Sequence, residues 1–151
     1  MSTFNSMERD NEASLKPWPQ ELIKGYINLV KVARKKGIKC SYTIRKDALG
    51  IIKGSDNFYY EHNFHSTSSL LGDNYDSFRF HSTEFCAITI VAFMLLQKHG
   101  YIIRWTTESY EDGLGWKLAR EISNEIGLDY TKYLPIDMNG ASGFLWGKYA
   151  K

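Results

Sequence analysis

The feature that most constrains this chain is the stretch Phe85–Leu96, FCAITIVAFMLL, in which eleven of twelve residues are apolar and only Thr89 is not. A helix that is apolar all the way round has no solvent face, so it belongs at the centre of a core, covered on most sides. At about a dozen residues it is too short for the roughly 20 that span a bilayer. Ser82-Thr83-Glu84 supplies a cap before it and Gly100 ends it, which predicts a buried helix over about 83–99.

Two amphipathic helices are expected beside it. Leu22, Ile23, Tyr26, Ile27, Val30 and Ala33 recur at helical spacing after Pro19 and stop at Gly37. Leu114, Leu118, Ala119, Ile122 and Ile126 do the same before Gly127. Alternation predicts strands at Ile38–Ile44, Phe58–Phe64, Phe78–Phe80 and Tyr101–Thr107, while Arg45–Lys53 reads either as strand or as turn. The expected fold is α+β: a mostly antiparallel sheet of four or five strands with three helices, the second one buried. Residues 1–16 lack periodicity and read as a disordered tail, leaving 17–151 as one globular domain. Aromatic residues make up 15% of the chain, which suits sheet and contact surface alike.

The opening stretch has no apolar core, and two cysteines make no disulfide framework, so a reduced, cytoplasmic protein is expected. Cys40 and Cys86 both lie among apolar neighbours and read as core. No cofactor is implied, and no membrane partner.

Phe64-His65-Ser66-Thr67 and Phe80-His81-Ser82-Thr83 are the same four residues, sixteen apart. A hairpin turning at Gly72-Asp73-Asn74 would set His65 opposite His81 and Thr67 opposite Arg79, on one face of the sheet. With the free N–H groups of the following helix, these side chains form a candidate phosphate site. Histidine titrates near neutrality, so the pair could divide acid and base work in a metal-independent phosphodiester cleavage assisted by Thr67, Thr83 and Arg79. The doubled His-x-Thr resembles the two-histidine phosphoesterases, although that family carries its motifs in separate halves of the chain. The order of elements is similar to the zinc nucleotide deaminases, but His81-x-x-Glu84 replaces their His-x-Glu and no Cys-x-x-Cys follows. His62, His65 and His81 are the conceivable metal ligands, but His62 and His65 fall on opposite faces of a strand, and no metal site is expected.

Residues 31–53 hold eight basic side chains against one acid, Asp47. Lys35, Lys36, Lys39, Arg45 and Lys46 within this run are candidate phosphate-binding residues, with Tyr42 among them. Net charge is only +2, too small to require a polyanionic partner. Two functions follow as expectations. The first is a small binding protein of inhibitor, immunity or regulatory type, using a charge-polarised, aromatic-rich surface for a protein partner. The second is a phosphodiesterase or nucleotide- or RNA-binding protein using His65 and His81.

Overall fold

The computed structural model describes residues 3–10, 16–61, 75–109 and 113–136. Strand β1 (Thr3–Arg9) leads to helix α1 (Gln20–Lys35), then to the meander β2 (Ser41–Arg45), β3 (Ala48–Lys53) and β4 (Asp56–Glu61). Strand β5 (Tyr75–Phe80), helix α2 (Thr83–Lys98), strand β6 (Ile102–Thr107) and helix α3 (Leu114–Glu125) follow, then a 3-10 turn at Tyr130–Lys132. The class is α+β and the pairing is antiparallel, but the strands form two three-stranded sheets, β5-β1-β6 and β2-β3-β4, rather than one sheet of four or five.

Helix α2 is the centre. Every residue from Phe85 to Leu96 is buried, and both α1 and α3 pack against it. Gly25 of α1 allows that approach: a Cβ there would lie 3.0 Å from Leu95 Cδ2. On the sheet side Phe93 meets Phe58 and Trp105, and Phe85 meets Phe80 edge-on at 4.8 Å.

The expected tail is corrected by β1, which lies between β5 and β6 as the middle strand of its sheet. Its inward positions are Asn5, Met7 and Arg9, all buried, so only one of three is apolar. Asn5 accepts from the Thr107 hydroxyl at 2.5 Å, and Arg9 Nε donates to Asp76 Oδ2 at 2.6 Å. The ambiguous stretch after Arg45 is β3, the middle strand of the meander, entered through the two-residue turn Lys46-Asp47.

The two sheets meet edge to edge, β4 beside β5, without a hydrogen-bonded ladder among the described residues. The Phe58 and Phe78 rings meet edge-on across the seam at 5.0 Å, and polar contacts join the sheets at both ends. The Asp56 carboxylate, at the start of β4, accepts from the backbone N–H groups of His81 and Ser82 at 3.4 and 3.1 Å. At the other end Arg9 Nη1 donates to the Glu61 carbonyl at 2.5 Å while its Nε holds Asp76. Hence β5 takes β1 as its ladder partner, and His81 meets Asp56 across the seam. The expected partners His65 and Thr67 lie outside the described residues, as do His62 and the turn at 72–74.

Candidate functional site

At one end of the molecule the start of α2 meets the ends of β1, β5 and β6. Ser82 is the N-cap of α2, accepting from Phe85 N–H at 3.1 Å through its hydroxyl. Local sequence explains this: Ser, Thr and Glu in a row offer a cap and a first-turn acid just before an apolar run. His81 and Thr83 are exposed on either side of Ser82. Arg79 is exposed on β5, paired with Phe4 of β1, and its guanidinium stacks 4.2 Å from the centre of the Phe4 ring. Three of the five expected catalytic residues are thus gathered here in chain order.

The electrostatics at this end are those of a site already occupied by carboxylates. Asp56 takes the two N–H groups preceding the helix, Glu84 lies in its first turn, and Glu108 accepts from Phe4 N–H at 2.9 Å. A cation, Lys53, is drawn to Glu84 at 3.3 Å. The positive end of the α2 dipole is therefore served from within the chain, by Asp56 at the N–H groups before it and Glu84 in its first turn. Asp56 is the residue that sequence reading missed. Asp after Gly-Ser reads as turn chemistry, and nothing local signals a partner 25 residues away.

Both cysteines are buried, and burial is the largest influence on their thiols, raising both above the ordinary range, as expected of core cysteines. Cys86 receives a long contact from Asn5 Nδ2 at 3.9 Å. Among the described residues no group of three or more His, Cys, Asp or Glu is placed to hold a metal. Nor is any helix of the described residues long and apolar enough to cross a membrane.

The basic run is divided by the fold. Lys36 turns to α3, reaching Glu125 at 2.9 Å and Glu121 at 3.7 Å, and these contacts hold its ammonium above its ordinary pKa. Arg34 Nε donates to the Cys40 carbonyl at 2.8 Å, and Arg45 lies 3.9 Å from Asp47 with both side chains exposed. Lys31, Lys35, Lys39 and Lys46 are exposed and form no ion pair among the described residues. Lys39 and Lys46 flank β2, an outer strand with none of its five residues fully buried and with Tyr42 39% exposed. Of the expected phosphate-binding set, Lys35, Lys39, Arg45 and Lys46 are exposed, and Lys36 serves the α1–α3 contact.

These elements define a class, a two-sheet antiparallel α+β protein wound round one buried helix. Comparison with protein-family models, with curated proteins and with solved structures found no match.

Proposed function

We propose that this chain is a small binding protein that docks a protein partner on the basic surface formed by the end of α1 and strand β2. The supporting observation is that Lys31, Lys35, Lys39 and Lys46 are exposed with no ion pair among the described residues, Lys39 and Lys46 flanking an outer strand with no fully buried residue and a half-open Tyr42. Several other cations are held by carboxylates. Glu8 binds Arg104 at 2.7 Å, Glu84 binds Lys53, and Glu121 and Glu125 bind Lys36. Cations left uncompensated around an exposed aromatic suit steering and docking of an acidic surface.

The paired-histidine phosphodiesterase reading has less support, because the Asp56 carboxylate takes the N–H groups just before the helix on which it relies and Glu84 lies in the first turn. Charge reversal separates the two. Replacing Lys31, Lys35, Lys39 and Lys46 by Glu should preserve the helical circular dichroism, since all four are exposed. It should reduce partner capture at least about tenfold, equivalent to about 1.4 kcal/mol. The double change Arg79→Ala/His81→Ala should leave capture intact. Unchanged capture in the lysine variant, or RNA cleavage lost in the Arg79/His81 variant, would reject the binding-protein reading.

A further inference from the structure

β2 and β3 are joined by the turn Lys46-Asp47, with Arg45 paired to Ala48 across it. In a two-residue hairpin the residues flanking the turn exchange backbone bonds, and bonded positions recur at every second residue. Arg45, Thr43 and Ser41 therefore bond to β3. The N–H and C=O groups of Tyr42 and Ile44 point the other way, and β2 has no second neighbouring strand among the described residues. Position 40 shares that outward parity, and its carbonyl is taken by Arg34 Nε. At the far end Trp18 Nε1 donates to the Arg45 carbonyl at 2.6 Å. Trp18 just before α1 and Arg34 near its end thus engage main-chain groups at the two ends of β2, and among the described residues no hydrogen bond to the outward groups of Tyr42 and Ile44 is found.

The surrounding charge selects what can add there. Lys39 precedes β2, and Arg45 and Lys46 end it, all exposed. A second copy pairing antiparallel through its own β2 would bring these cations together, as lysines on an edge strand do to prevent self-association. The geometry points to β2 as the acceptor for one strand of a partner protein, an extended acidic segment that hydrogen-bonds Tyr42 and Ile44 and sets carboxylates against Lys39 and Lys46. This rests on the basic-surface reading above and specifies how that surface is used. Two outward residues offer two donors and two acceptors, the main-chain contacts by which strand addition gains affinity. A nucleic acid has phosphates for the lysines but no alternating N–H and C=O groups at strand spacing.

The test is a titration of the full chain with an eight-residue peptide of alternating Glu and Val, followed by backbone amide exchange. Binding should weaken at least about tenfold between about 50 and 500 mM salt, because the contacts are exposed and screened. At saturation the Tyr42 and Ile44 amides should exchange about tenfold or more slowly, with little change at Ser41, Thr43 and Arg45. Lys39→Glu/Lys46→Glu should weaken the peptide at least about tenfold. An alternating Lys and Val peptide should not bind, and oligothymidylate should not displace the acidic one. Binding without protection of Tyr42 and Ile44 would overturn strand addition and leave the basic-surface reading standing. Equal binding of the basic peptide, or displacement by oligothymidylate, would overturn the acidic-segment assignment. No binding of the acidic peptide at millimolar concentration would overturn both readings.

Discussion

Arg9 and Asp76 form a charge pair whose side chains are 5% and 1% exposed, and the Arg9 guanidinium also lies 4.2 Å from the Tyr60 ring centre. Such a pair is held together because either charge alone would be stranded in the interior. Asp76→Asn should therefore destabilise the fold by about 3 kcal/mol in denaturant titration, whereas Arg9→Met/Asp76→Leu should recover most of that loss. One titrating residue couples stability to pH near neutrality. Burial is the main influence holding the His99 imidazole below its ordinary 6.5, with Lys98 adding to it and Glu21 opposing. The unfolded chain then takes up a proton that the folded one resists, so stability falls as pH drops through about 6.5. The melting temperature should thus fall between pH 7 and 6, and His99→Gln should remove that slope; an unchanged slope would reject this account of His99.

At the scale of elements, the sequence reading succeeds where apolar periodicity is local and fails where burial depends on distant partners. Helix α2 was legible because its apolar residues are contiguous, and α1 and α3 because theirs recur at helical spacing. Strand β1 was not, because two of its three inward residues are Asn5 and Arg9, whose partners Thr107 and Asp76 lie 102 and 67 residues away. Strand β3 was half-legible: Gly50 broke its alternation. That glycine has a structural reason, since a Cβ there would lie 2.3 Å from Tyr59 Cε1 on the neighbouring strand. Gly50→Ala should displace the Tyr59 ring and cost about 1–3 kcal/mol by thermal or denaturant unfolding, the range for overpacking. A variant as stable as the parent would show that the ring is free to leave. The echo of Phe-His-Ser-Thr predicts a hairpin whose first half lies outside the described residues; among the described residues the β5 ladder is formed with β1.

For the whole molecule, the two sheets divide the labour. The β5-β1-β6 sheet buries polar side chains such as Asn5 and Asp76, and the β2-β3-β4 meander ends in β2, which has no second neighbouring strand among the described residues and is flanked by Lys39 and Lys46. The basic run was legible as composition, but its division into structural and free cations was not. Only the fold turns Lys36 toward α3 and Lys53 toward Glu84. The central claim, that β2 presents free main-chain groups between pinned ends, is tested most directly by amide exchange along that strand in the protein alone. Ser41, Thr43 and Arg45, bonded to β3, should exchange at least about tenfold more slowly than Tyr42 and Ile44. Equal protection at all five positions would mean the edge is already covered, and would contradict the account.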